Sequence, residues 1–155
     1  MPPALTPEHF EALLGAEGCL SAALAGGEEV ALRIAGECMA PDLSDGELVR
    51  LEWPGLLLPG DVAAFSCPTQ DRLLVHRFLG YVRHRGAWKM MAMADRGSRP
   101  DPLVDRAHLI GRVRLRGGLV FRVSPTRRLE AMGRFVAWCF RFLCRRIVGR
   151  TARGR

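Results

Sequence analysis

The chain predicts a mainly β fold, with a helical segment before the strands and a basic amphipathic helix after them. Three observations carry this expectation. Short apolar runs between Val30 and Val123 alternate with a period of two, as strands with one buried face do. Seventeen Gly and ten Pro, spread through 155 residues, break those runs with turn signals. After Pro125 the apolar spacing changes to three and four, the period of one helix face. With 48% hydrophobic and 25% charged residues the chain can bury one core of ordinary size, which excludes a wholly disordered protein. The boundaries read as an N-terminal helical segment over 1–27, a β domain over 28–123, and a basic amphipathic helix with its tail over 124–155.

Thr6-Pro7-Glu8 reads as a helix start, because the Thr hydroxyl can cap free N–H groups and Pro is tolerated in the first turn. Phe10, Leu13, Leu14, Leu20 and Leu24 continue it to about Ala25, and Gly26-Gly27 closes it. Val30, Leu32 and Ile34 alternate with Ala31, Arg33 and Ala35 in a first strand, broken at Gly36. Further strands are expected at Leu48–Trp53, Asp61–Phe65 after the Leu58-Pro59-Gly60 turn, Leu73–Val82 and Ala87–Ala92. Leu109–Leu115 and Leu119–Val123 read as a hairpin about Gly117-Gly118. Leu129, Met132, Phe135, Val136, Phe140, Leu143 and Ile147 then form a helix ending near Gly149, with Arg127, Glu130, Arg134, Arg141 and Arg145 on a second stripe, and Thr151–Arg155 as a disordered tail.

The net charge of +7 divides unevenly. Residues 121–155 hold ten Arg and one acid, Glu130, a net of +9, whereas residues 1–120 hold thirteen Lys and Arg against fifteen Asp and Glu, a net of −2. Basicity therefore belongs to the C-terminal segment, and nucleic-acid binding is not expected of the chain. No run of 18 apolar residues supports a transmembrane helix. Met1–Gly18 carries Glu8, Glu11 and Glu17 without a basic start, so it does not read as a signal peptide. A cytoplasmic location is expected, with one alternative: residues 127–150 lying peripherally on an anionic membrane surface, as an Arg stripe beside aromatic residues allows. The competing reading packs the helix's apolar face, including Cys139 and Cys144, on the β domain. Five cysteines, an odd number without C-x-x-C spacing, predict neither a disulfide framework nor a zinc site, and no cofactor or metal is expected.

The most informative run is Gly36-Glu37-Cys38-Met39-Ala40-Pro41-Asp42-Leu43. A glycine turn after a strand can present a side chain away from the sheet, which suits a nucleophile, although a lone cysteine is more often a small buried hydrophobe. The pattern continues through Gly46-Glu47-Leu48-Val49, Leu58-Pro59-Gly60-Asp61-Val62-Ala63-Ala64-Phe65, Val75-His76-Arg77, Ala94-Asp95-Arg96 through Asp101, and Leu109-Ile110-Gly111-Arg112-Val113. In this order the segments resemble the signal peptidase I and LexA-like superfamily of serine peptidases, over about residues 30–116.

The resemblance implies a LexA/signal-peptidase-like complex β fold. It also implies peptidase activity on an extended precursor or signal peptide that adds as a strand beside the active-site edge, with small side chains near the cut. Cys38 falls on the nucleophilic serine and His76 on the general base, which is histidine in the archaeal and endoplasmic-reticulum branch. Asp101 falls near the acid that accompanies that histidine. Gly36, Met39, Pro41, Asp61, Arg77 and Asp95 match motif positions, and the roles of Asp61 and Arg77 there are structural. The chain departs from the family in having Cys38 for serine, Gly36 where signal peptidases often place a second serine, and Ala94 for a glycine. A thiolate is a viable nucleophile, with the Cys38 backbone N–H as an oxyanion donor.

Each residue keeps an ordinary alternative: His76 as a strand residue satisfied by neighbours, Asp101 as the head of an Asp101-Pro102 turn, and the whole domain as a catalytically inactive peptide-binding relative. Lys89 lies thirteen residues beyond the position of the base, and His9, His84 and His108 read as surface groups. A LexA-like regulator needs a DNA-binding module, for which the short acidic segment before Cys38 is a poor candidate.

Overall fold

A computed structural model describes residues 18–67, 69, 72–115 and 123–151. The expected helix start at 7–17, the Gly117-Gly118 turn with most of its return strand, and the tail 152–155 lie outside these residues. A first helix, α1, covers 18–25 and ends at Gly26-Gly27, as the glycine pair predicts. Seven strands follow: β1 (Val30–Arg33), β2 (Leu48–Glu52), β3 (Val62–Cys67), β4 (Arg72–His84), β5 (Ala87–Met93), β6 (Val104–Asp105) and β7 (Leu109–Arg114). The second helix, α2, runs from Pro125 to Thr151. The chain is therefore mainly β, framed by helices as its sequence predicts.

The strands make one sheet in the order β1-β2-β7-β3-β4-β5-β6, with every neighbouring pair antiparallel. Strands β3 to β6 form a meander, and β7 returns to lie between β2 and β3. This leaves β1 as one edge of the sheet. Side-chain alternation divides the interior between the two faces. Val62 and Ala64 of β3 join Leu24, Met39, Leu43, Val49, Ile110 and Val113 on one side, while Ala63 and Phe65 join Phe78, Met90 and Leu109 on the other. All of β3 is buried, which explains its short continuous apolar run.

Several boundaries differ from the sequence expectation. Ile34 is buried but lies just past β1, and β2 stops at Glu52, before Trp53-Pro54, where proline offers no ladder N–H. Strand β4 is longer than expected and contains a register shift between Phe78 and Gly80. The two-residue β6 and the 3-10 turn Arg106–His108 have no periodic signature and were not expected. Helix α2 continues through Gly149 into Thr151, since a single helical glycine weakens a helix by only about 1 kcal/mol.

The helix start is the Ser124-Pro125-Thr126 signal made structural: Ser124 Oγ accepts the Arg127 N–H at 3.3 Å. Ala131, Phe135 and Trp138 then pack on Leu79 and Met91 of β4 and β5. Gly80 makes this approach possible, because a Cβ there would stand 2.8 Å from the Phe135 ring.

Candidate active site

The loop joining β1 to β2 carries Cys38 and is pinned at several points. Gly36 has φ +88°, a left-handed conformation that glycine adopts without a Cβ clash, and its N–H donates to Asp45 Oδ1 at 2.6 Å. Met39 and Leu43 are fully buried plugs, and the Leu43 N–H reaches back to the Met39 carbonyl at 3.0 Å. The Ala40–Pro41 peptide is cis, and Pro41 is exposed. Between these anchors Cys38 is half-buried, and its side chain rests on the core cluster containing Met39 and Val62. Its carbonyl accepts the Arg96 N–H at 3.0 Å, which ties this loop to the turn after β5.

That turn leads to Asp101, whose N–H donates to the Ala92 carbonyl of β5 at 2.8 Å. The position brings the Asp101 carboxylate to His76 on neighbouring β4, with Oδ2 2.7 Å from Nδ1. Both side chains are largely enclosed, 9% exposed for His76 and 12% for Asp101, and the imidazole meets the Phe65 ring edge-on at 6.4 Å. The Asp101 side chain thus engages His76 rather than a local Asp-Pro turn. In the neutral imidazole this contact favours hydrogen on Nδ1, leaving Nε2 as the basic nitrogen. Among the described residues no hydrogen bond joins Cys38 Sγ to His76, and the Cys38 N–H has no acceptor.

Arg77, the next residue, turns to the other side of β4 and fastens the surroundings. Its Nε and Nη2 donate to the two Asp95 oxygens at 2.6 Å each, Nη2 also reaches Asp42 Oδ2 at 2.7 Å, and Nη1 reaches the Gly60 carbonyl at 2.7 Å. Burial opposes the charge, but the hydrogen bonds and charges of Asp95 and Asp42 outweigh it and raise the Arg77 pKa, so the guanidinium stays cationic. Asp42 also accepts Arg127 of α2 at 2.8 Å. Asp61 closes its own turn by accepting the Leu58 N–H at 2.9 Å, and it pairs with Arg128 of α2 at 3.0 Å.

Asp42 had no special standing in the sequence reading, although it is the acid through which the Cys38 loop meets both Arg77 and α2. A charged residue between Pro41 and buried Leu43 was its only signal. Lys89 is engaged by Asp105 at 2.7 Å, so the described structure gives it a partner remote in the sheet from His76. Among the described residues no three His, Cys, Asp or Glu side chains converge as metal ligands, and no helix is long and apolar enough to cross a membrane. A scan against protein-family models and a search of curated proteins each return no match.

Proposed function

We propose that the chain is a signal-peptidase-like endopeptidase in which Cys38 is the nucleophile, His76 the general base and Asp101 the group that orients the imidazole. The observation that carries this reading is the enclosed His76–Asp101 pair, 2.7 Å apart, with Asp101 on the segment whose Arg96 N–H holds the Cys38 carbonyl. The pair leaves Nε2 to take the Cys38 thiol proton as Sγ bonds to the substrate carbonyl carbon. The uncommitted Cys38 N–H would face the developing oxyanion. His76 then returns the proton to the departing amine as the C–N bond breaks. Water attacks the resulting thioester, gives its proton to His76, and releases the acid and the thiol.

The substrate class is an extended precursor or signal peptide. Among the described residues strand β1 is a sheet edge that runs into the Cys38 loop, so a peptide pairing with its outer side would approach Sγ. The missing thiol–imidazole hydrogen bond accords with a site whose catalytic contacts tighten when substrate binds. The same observation favours a second reading, in which the fold keeps the edge groove as a catalytically inactive peptide-binding module and Cys38 serves as packing.

Alkylation separates the two readings. In the catalytic reading iodoacetamide modifies Cys38 below about pH 8, and the reaction moves to higher pH in His76→Ala. A Cys38 that reacts as an ordinary or shielded thiol, indifferent to His76, sinks the catalytic reading and leaves the binding module. Cleavage of a peptide substrate that survives Cys38→Ala would also overturn the assignment.

A further inference from the structure

Helix α2 has an apolar surface that the sheet does not use. Ala131, Phe135 and Trp138 pack inward, whereas Leu129, Met132, Val136, Phe140 and Leu143 are each half or more exposed. Their spacings of three, four, four and three place them on one stripe about 80° wide at 100° per residue. The surface continues onto the sheet. An open groove of about 340 Å³ lies between Met132 and Val136 of α2 and Leu57, Pro59 and Tyr81. On either side of Leu57, Leu56 and Leu58 are exposed as well. From Phe140 to Cys144 every residue is exposed, and Phe142 stacks on Trp138 of the same helix.

The charge on the helix narrows what can cover such a face. Helix α2 contains seven Arg and one acid, Glu130. Arg127 is held by Asp42 and Glu130, and Arg128 by Asp61. Arg134 reaches the Asp95 carbonyl at 3.4 Å, and Arg141 is exposed, followed in sequence by Arg145, Arg146 and Arg150; no Asp or Glu occurs after Glu130. A second copy would oppose the same charges across the apolar stripe. Nucleic acid would match the charge and leave the stripe in water. A bilayer with anionic headgroups over acyl chains satisfies both parts.

We propose that the exposed face of α2 from Leu129 to Cys144, with the adjoining Leu56–Leu58 loop, forms a peripheral docking surface for anionic lipid. The apolar stripe enters the headgroup boundary, and the Arg side chains meet lipid phosphates by extending along the interface. The inference is independent of the proposed peptidase activity.

The test is flotation of the full-length protein with phosphatidylcholine vesicles, with and without a fraction of phosphatidylglycerol. Binding is expected to the anionic vesicles and to weaken with salt. Val136→Gln with Phe140→Gln, both at exposed positions, should weaken it by about tenfold or more. Arg141→Gln should weaken it about fivefold. Unchanged circular-dichroism melting shows that the substituted proteins are folded, and Arg141→Gln decides the matter alone if the apolar variant is not. Failure to float with anionic vesicles overturns the proposal, as does binding indifferent to both variants. A dimer in light scattering that the apolar variant dissolves, without vesicle binding, assigns the face to a second copy instead. Binding to DNA but not to vesicles overturns it too. Cys38 alkylation should be the same in parent and variants, which separates failure here from failure of the peptidase reading.

Discussion

Arg77→Met tests whether the framework around the candidate site depends on one guanidinium. The side chain is 2% exposed and makes four hydrogen bonds, two of them to Asp95, which is itself only 5% exposed. Methionine fills much of the volume but strands the Asp95 carboxylate without its cation. Breaking one side of a buried pair destabilises by about 3 to 5 kcal/mol. Losing a donor to the Gly60 carbonyl adds about 1 kcal/mol, while Asp42 keeps Arg127 and contributes little. The sum is about 4 to 6 kcal/mol, a large share of a typical domain's stability of about 5 to 15 kcal/mol. For a chain of this size it corresponds to a fall in Tm of about 10 to 20 °C. The assay is thermal and urea unfolding of the parent, Arg77→Met, Asp95→Asn and the double variant. Because Asp95→Asn removes the stranded charge, the double variant should be more stable than Arg77→Met alone, with a coupling above about 1 kcal/mol. A Tm loss below about 3 °C, or strictly additive effects, would refute the clamp.

Three further outcomes follow from local geometry. Gly80→Ala places a Cβ 2.8 Å from Phe135 Cε2 and should destabilise by about 1 to 3 kcal/mol, with partial recovery when Phe135→Leu is added; chemical unfolding of the pair checks it. Ser124→Ala removes the cap on the Arg127 N–H and should lower stability by about 1 kcal/mol, measured by the same unfolding. Burial pushes the Cys139 thiol up from its ordinary pKa, disfavouring the reactive thiolate. Mass spectrometry of a timed iodoacetamide reaction should therefore find Cys139 modified more slowly than exposed Cys144 at mildly alkaline pH, and equal rates would contradict the burial argument.

The β character and most strand positions were legible because alternation survives wherever one sheet face is more enclosed than the other, as in Val30 and Leu32 or in Val49 and Leu51. Alternation fails for β3, where both faces are buried, and only the Pro59-Gly60 turn marked its start. The pairing of β7 between β2 and β3 depends on contacts 44 to 64 residues apart in sequence, for example Ala63 with Arg112, and no local pattern encodes it. At the site, the spacing of motifs identified His76 and Asp101 as residues to watch, and their contact is a consequence of β5 lying beside β4. Asp42 was invisible as a junction because its partners Arg77 and Arg127 are 35 and 85 residues away. The sequence separates α2 from the β domain by composition, whereas its first two arginines belong to the buried-carboxylate network of that domain.

That last connection gives the helix a mechanical role. Arg127 holds Asp42, Asp42 holds Arg77, and Arg77 holds Asp95, in one chain of contacts no longer than 2.8 Å. Asp42 lies on the loop that carries Cys38, and Asp95 on the turn whose next residue donates to the Cys38 carbonyl. The first turn of α2 therefore bears on both backbone segments that frame the thiol, while residues 140–144 farther along the helix are exposed. Motion of α2 can reach the Cys38 loop through Asp42, through Arg134 at the Asp95 carbonyl, or through the packing on β4 and β5. Arg127→Gln, which leaves Ala131, Phe135 and Trp138 in place, removes the first route alone. If the ion-pair route dominates, the variant should show faster amide exchange at Met39–Leu43 with little change in β4 and β5. Equal acceleration in β4 and β5 would show instead that α2 supports the site through packing.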